Sequence, residues 1–250
     1  MKTLVVGDLH TKYHIFEKVK QASKDYDKII FMGDYVDDWN VLAEASHNLL
    51  IGLKEFYEEN IGKVVLLLGN HDLSEWLGNE FRCAGFNKFS HLLVNGFMAR
   101  FGSIFELAHA EQGFLFTHAG ITEAWFRKYL GTTLPTPGMI ANNLNFALNH
   151  WGEDDRAERI FLGLSGVGTG RGGWDIPSPI WTDLNELLKD PVPELNQIVG
   201  HTPTVSCMNF QSYGAELWFC DTHSLYSNRE PIGDNSFLEI EDGKVSKIYL

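Results

Sequence analysis

Cysteine is scarce. Only Cys83, Cys207 and Cys220 occur in 250 residues, widely spaced and without a CxxC pair, which excludes a disulfide framework and a zinc–thiolate site and leaves buried free thiols as the expectation. Positive charge is also in deficit: 20 Lys and Arg stand against 33 Asp and Glu, a formal net charge of −13. A surface that grips nucleic acid through its phosphates needs clustered basic side chains, so direct nucleic-acid binding is not expected. Part of the negative charge can be matched by bound cations. Long apolar runs are missing too. No stretch approaches the ~20 residues that cross a bilayer, and the opening MKTLVVGDLH turns polar after three apolar residues, so the chain reads as soluble and cytoplasmic with no membrane partner. Finally, nothing resembles an interdomain linker; 250 residues, 44% of them hydrophobic, suffice for one domain with a sizeable core.

What the sequence does have is a repeated junction. Short runs rich in Val, Ile, Leu and Phe end abruptly in Gly, Asp, Asn or His: LVVGDLH at 4–10, IIFMGDYVDDW at 29–39, VVLLLGNHD at 64–72, FLFTHAG at 114–120 and QIVGHT at 197–202. Each reads as a buried strand delivering a polar loop. Between the first two, Ile15, Phe16, Val19 and Ala22 form one face of a helix. The span 41–57, with Leu42, Ala45, Leu49, Leu50, Leu53 and Phe56 on a helical period, supplies a second crossover. Parallel strands joined in this way carry ligand sites at their carboxyl ends. The tail differs: ELWFC and SFLEIEDGKVSKIYL hold short strands, with Asp242-Gly243 a hairpin signal. A mixed, two-sheet α/β arrangement therefore fits better than a purely parallel one. Residues 131–178 are rich in Gly, Pro and Asn and read as loops around a short helical stretch, a loop-rich insertion over the polar face that reads equally as a lid or a partner-binding insertion.

The junctions share a donor chemistry. Asp8 and His10 are two apart, so at a strand exit they point to one side and can grip one ion. Asp34 follows another strand in the same Gly-Asp context, and a carboxylate, unlike an imidazole or amide, has two oxygens with which to bridge two cations. Asn70, His118 and His201 complete a second ion. Any one such motif is common in turns; five together at strand exits point to a dinuclear metal site. Oxygen and nitrogen donors without sulfur suit manganese first, with iron, zinc or nickel as alternatives, and not calcium.

In the order GDLH, GDYVDD, GNHD, THAG, GHT, the chain resembles the calcineurin-like metallophosphoesterases. It is most similar to the phosphoprotein phosphatase branch, written GDxHG, GDxVDRG, GNHE, HxG, GHT. It looks in particular like the lambda-type phage and bacterial protein phosphatases and the diadenosine tetraphosphatase-like enzymes, because GHTP is followed by a short strand and FCDTHS, and because PIWTD is similar to their LWSDP. The resemblance implies two mixed sheets packed face to face and flanked by helices, two divalent ions, and hydrolysis of a phosphate ester by a hydroxide bridging them. It implies that His71 protonates the leaving oxygen, that Asp37 orients that imidazole, and that Asn70 serves substrate as well as ion.

The departures bear on substrate. Asp38 stands where the family has arginine, a residue that binds phosphate oxygens by a bidentate fork, and Trp39, Thr11 and Asp72 replace Gly, Gly and Glu. Arg171, in the glycine-bordered GTGRGGW, is the expected replacement for phosphate binding, with Arg156 a weaker candidate in an acidic helical setting. Of Trp39, Trp76, Trp151, Trp174 and Trp181, near these loops, most read as packing and one or two as a stacking face for a base, Trp39 first because it directly follows the metal motif. The expected activity is a phosphate monoesterase acting on phosphoproteins or small esters; a dinucleoside polyphosphate or cyclic nucleotide hydrolase is the alternative. A metal-binding scaffold without turnover is favoured only by the lost arginine.

Overall fold

The structure is a computed structural model that describes residues 1–39, 41–131 and 135–250. Eleven strands among these residues form two mixed sheets. The first comprises β1 (Lys2–Val6), β2 (Lys28–Phe31), β3 (Val64–Leu67) and β4 (Phe105–Glu106), all parallel in that order, with β10 (Phe237–Glu241) antiparallel to β1 and β11 (Lys244–Ile248) at the edge. The second comprises β5 (Ala108–Glu111), β6 (Phe114–Thr117), β7 (Gln197–Val199), β8 (Met208–Ser212) and β9 (Ala215–Phe219), in the order β5-β6-β7-β9-β8, its central strands β6, β7 and β9 parallel.

Period-two alternation splits each central strand between two cores. Val5, Ile30, Val65, Leu67, Leu238 and Ile240 from the first sheet meet Phe114, Phe116 and Ile198 from the second. Leu4, Val6, Ile29, Phe31, Val64 and Leu66 face the other way and are covered by helices. Those helices are α1 (Tyr13–Ala22), presenting Ile15, Phe16 and Val19, and α2 (Ala43–Glu59), presenting Leu49, Leu50, Leu53 and Phe56, joined by α4 (Lys88–Phe101). Between β3 and α4 runs α3 (Asn70–Leu77). On the second sheet, Leu187 of α8 (Leu184–Lys189) packs on Val199, Leu217 and Phe219. The result is the two-sheet, helix-flanked sandwich expected. No helix among the described residues is long and apolar enough to cross a membrane.

Leu42, placed on the apolar face of the second crossover by its spacing, is the residue before α2 and is 76% exposed. The stretch 131–178 carries more helix than its composition suggested. After α5 (Glu123–Tyr129) come α6 (Pro137–His150), capped by the Thr136 side chain with Pro137 at the first helical position, and α7 (Asp155–Leu162), capped by Asp154. Ile140, Leu144, Ala147, Ile160 and Phe161 anchor the pair in the main core. The first residues of TTLPTPG, 132–134, lie outside the described residues. Both tail hairpins close on two residues with positive φ, Asp242-Gly243 (49° and 77°) as expected and Tyr213-Gly214 (48° and 78°) unforeseen.

Candidate active site

The five polar junctions follow the carboxyl ends of β1, β2, β3, β6 and β7, and the sandwich brings them together. Oxygen and nitrogen atoms of Asp8, His10 and Asp34 lie within 4.8 Å of one another, and so do those of Asp34, His118 and His201; Asp34 is common to both groups. Asn70 sits in the second group, its Oδ1 2.9 Å from His201 Nδ1 and 3.1 Å from His118 Nε2. All six are buried except His10, which is partly so.

The glycines of GN and GH exist for close approach. A Cβ on Gly69 would lie 2.1 Å from Asp34 Oδ1, and one on Gly200 2.1 Å from Asp8 Oδ1. His10, Asp34 and His201 themselves adopt left-handed backbone, with φ of 39°, 51° and 65°, a conformation that costs non-glycine residues energy and recurs at functional sites. Thr11, in the family's glycine position, is left-handed as well (φ 61°). The strain is held by hydrogen bonds. His10 and Thr11 donate their amides to Asp34 O and Tyr35 O, at 2.7 and 2.9 Å. The Asp72 carboxylate accepts from the amides of Asp34 (2.7 Å), Gly69 (2.9 Å), Tyr35 (2.9 Å) and Val36 (3.4 Å). Asp72, in sequence merely a shortened version of the family's glutamate, is thus the clamp of the GDYV loop, although burial pushes its pKa to about 7.

The donor set fits cations. His118 donates Nδ1–H to Met32 O at 2.8 Å, and His10 donates Nδ1–H to Asp37 O at 2.8 Å, which leaves Nε2 of each ring directed at Asp34, at 3.3 and 3.7 Å respectively; without ions, burial works against the His118 imidazolium but the Asp34 and Asp8 charges raise its pKa to about 9, and a bound cation would take the place of that proton. His118 Nε2 also meets His201 Nδ1 at 3.2 Å. Lone pairs, an amide oxygen and carboxylates converge on two small volumes with too few protons to bond them all. Divalent ions satisfy such a cluster with mixed nitrogen and oxygen ligands and carbonyl-oriented imidazoles. Without such ions, burial raises the Asp8 pKa, with Asp221 adding to the effect, and burial lowers that of His201.

Beside these groups lies a cavity of about 660 Å³, lined by His10, Asp34, Asn70 and His201 and also by Asp37, His71 and Arg171. His71 Nδ1 faces Asp37 Oδ2 at 2.9 Å, leaving Nε2 for the cavity, and its ring lies 5.1 Å from that of His10. Burial works against the charged form of His71, yet the Asp34 charge and the Asp37 hydrogen bond together raise its pKa well above the usual value. Arg171, in a short 3-10 turn, reaches the cavity from the His201 side, donating Nη2–H to Thr202 Oγ1 (2.8 Å) and to His201 O (3.2 Å), with Nε 3.4 Å from Asp183. Arg156 is away from the cavity, bonded to Asn143 of α6.

Four further cavity residues bear on the site. Asp38 forms a 3.0 Å ion pair with the buried Lys12. Trp181 of PIWTD sets its ring edge-on to His201, 5.7 Å between centroids, and lines the cavity together with Trp39. Cys83, expected buried, is only partly so and lies 3.6 Å from His71 Nδ1, whereas Cys207 and Cys220 are buried. Asp221, within the FCDTHS that the resemblance singled out without a role, lines the cavity too.

Among curated proteins, none matches the chain in sequence. Solved structures do match it in shape. The cold-active protein-tyrosine phosphatase of a psychrophilic Shewanella species shares 14% identity over 98% of this chain and 80% of that one, with a TM-score of 0.51. A metallophosphoesterase from Sphaerobacter thermophilus shares 13% over 100% and 87% (TM-score 0.47), and a protein serine/threonine phosphatase from Saccharomyces cerevisiae 12% over 100% and 80% (TM-score 0.45). At such identities the Shewanella likeness speaks for the fold alone. The family is settled by sequence: the family model described as calcineurin-like phosphoesterase matches residues 1–223, a span that contains all five junctions, and the chain belongs to the calcineurin-like phosphoesterases.

Proposed function

We propose that this protein is a dinuclear metal-dependent phosphatase that hydrolyses phosphate monoesters. The observation that carries the reading is the pair of donor groups sharing Asp34, with the His71–Asp37 pair beside them on one cavity wall. Asp8, His10 and Asp34 would hold one ion, and Asp34, Asn70, His118 and His201 the other. Bound there, two divalent ions, manganese first and iron, zinc or nickel as alternatives, supply an activated water and neutralise charge on the phosphoryl oxygens.

The chain's own side chains do the rest. His71, protonated at Nδ1 towards Asp37, offers the proton on Nε2 to the leaving oxygen, which departs poorly as an alkoxide. The Asp37 carboxylate fixes the ring and stabilises its charge. Arg171 and the Asn70 amide grip the phosphoryl oxygens, Arg171 with whatever part of its planar fork Thr202 and His201 leave free.

A second reading, a dinucleoside polyphosphate or cyclic nucleotide hydrolase, is favoured by the two cavity tryptophans, Trp39 (51% exposed) and Trp181, since an indole offers a base a stacking face. Manganese-loaded protein assayed on p-nitrophenyl phosphate, bis-p-nitrophenyl phosphate, diadenosine tetraphosphate and phosphopeptides separates the readings. Monoester turnover at the highest kcat/KM is expected; preference for the diester or the dinucleotide transfers the assignment to the second reading. Two bound metals with no turnover on the whole panel would leave only a binding scaffold.

A further inference from the structure

The charge inventory of the site contains one carboxylate too many. Asp221 follows β9 on the second sheet, 1% exposed. Its Oδ2 accepts from Ser224 Oγ at 2.9 Å, while Oδ1 is buried with no hydrogen-bond partner among the described residues. An ionised oxygen in that position is expensive to leave unpaired, and a native structure retains one where a ligand satisfies it. The residue is not tucked away: it lines the same cavity as His10 and Asp34. Its segment is pressed onto the exit of β1 just before Asp8, so closely that a Cβ on Gly7 would lie 2.1 Å from Cys220 O. Its backbone is also pinned, Thr204 donating its amide to Asp221 O at 2.8 Å.

Resting on the dinuclear reading above, we propose that Asp221 is a further carboxylate of the metal centre, a positioning residue whose free oxygen holds the ion at Asp8, His10 and Asp34 through a water. Asp221 is outside the tight group formed by those three, which is why its reach includes a water. The first ion otherwise has one bridging carboxylate, one terminal carboxylate and one imidazole, whereas the second has two imidazoles and an amide beside the bridge. Asp221 gives the poorer site its additional donor. Carboxylates in such an outer position change metal affinity by about 10- to 100-fold.

The test titrates manganese into chelator-stripped wild type, Asp221→Asn, Asp221→Ser and Ser224→Ala, counting ions by calorimetry and by the paramagnetic resonance of the coupled pair. Each protein is also melted in chelator and in excess manganese. Wild type is expected to take two ions. Asp221→Asn should keep one at wild-type affinity and bind the other about 10- to 100-fold more weakly, losing the coupled signal at limiting metal. Ser224→Ala, which retains the carboxylate, should keep both. Because burial disfavours the Asp221 charge in the ion-free site and Asp34 adds repulsion to it, either Asp221 variant should melt in chelator no lower than wild type, and the manganese-induced rise should shrink. Two ions at wild-type affinity in Asp221→Asn overturn this proposal and leave the dinuclear reading standing. Melting below wild type in chelator for both Asp221 variants marks a merely structural carboxylate and overturns it too. Fewer than two ions in wild type overturn both readings.

Discussion

Replacing Asp37 by Asn isolates the proton-donor pair. Both residues tolerate the left-handed backbone found there (φ 62°), so the substitution removes charge with little strain. In the protein as described, burial disfavours the His71 imidazolium, and the Asp34 charge and Asp37 hydrogen bond more than compensate. Once cations bind, the Asp34 charge is neutralised, and the 2.9 Å contact with Asp37 becomes the main support for the protonated ring. A hydrogen bond between charged partners contributes about 1.5–3 kcal/mol, which at about 1.4 kcal/mol per pH unit corresponds to a fall of roughly one to two units in the His71 pKa.

The sign is definite. A general acid works only while protonated, so the alkaline limb of the kcat profile should move to lower pH in the variant. The loss should be about 10- to 100-fold for an alkyl phosphate, at or below the lower end of the range ascribed to general acid catalysis because His71 itself is retained, and much smaller for p-nitrophenyl phosphate, whose leaving group needs little help. The measurement is a pair of manganese-saturated pH–rate profiles, one per substrate. An unmoved alkaline limb together with equal losses on both substrates would falsify the idea that Asp37 acts through His71.

Arg171→Ala should raise KM for a monoester by about 10- to 100-fold, the value of a charged hydrogen bond, with metal content intact by elemental analysis; unchanged kinetics remove Arg171 from the site. Gly200→Ala must push a Cβ towards Asp8 Oδ1, 2.1 Å away, so the first ion should be lost in a metal titration while circular dichroism still reports a folded chain. His109, between Glu106 (3.3 Å) and Glu111 (3.6 Å), is driven up to about 9 by these partners despite burial. Its contribution, at most about 3 kcal/mol from that rise, is therefore complete below pH 6.5, the unperturbed value, and lost as pH rises through about 9. His109→Gln should accordingly lower the denaturation midpoint most in acid and hardly at all above about pH 9; a pH-independent effect contradicts the pairing. Alkylation of Cys83, 3.6 Å from His71 Nδ1, should abolish turnover of a monoester and spare Cys83→Ser; equal inactivation of both places the adduct elsewhere.

The sandwich and the gathering of Asp8, His10, Asp34, Asn70, His118 and His201 were legible because the signals are local. A buried strand is a short apolar run, and a loop that must press against a carboxylate needs glycine at one position, as Gly69 and Gly200 show. The Asp242-Gly243 hairpin was readable for the same reason. What depends on distant partners was not. Helices α6 and α7 rest on a buried stripe that runs through a Gly-, Pro- and Asn-rich segment, and their capping residues Thr136 and Asp154 are ordinary in any loop. Asp72 is a one-letter change until its four amide partners are seen, and the second sheet had to be placed before Asp221 could be set beside Gly7 at the exit of β1.

The lost arginine is the departure that bears most on substrate, and its replacement is less hostile to a phosphate than its sign suggests. Asp38 is nearly buried and paired at 3.0 Å with Lys12, and its other oxygen accepts from the Trp39 amide at 2.7 Å. Its charge is thereby matched within the protein and is not turned on the ligand. Lys12, tied also to His10 O at 3.4 Å, is a point donor already engaged and presents no fork. Among the described residues that line the cavity, Arg171 is the only arginine. On the proposed reading the phosphoryl group is therefore gripped from the His201 side, while the wall at Asp38 has exchanged phosphate binding for an indole fixed by its Nε1 bond to Leu225 O at 3.1 Å. On that same reading the wall would contact the remainder of the ester, and the sequence change that weakens one phosphate contact would also be the one that shapes choice among substrates.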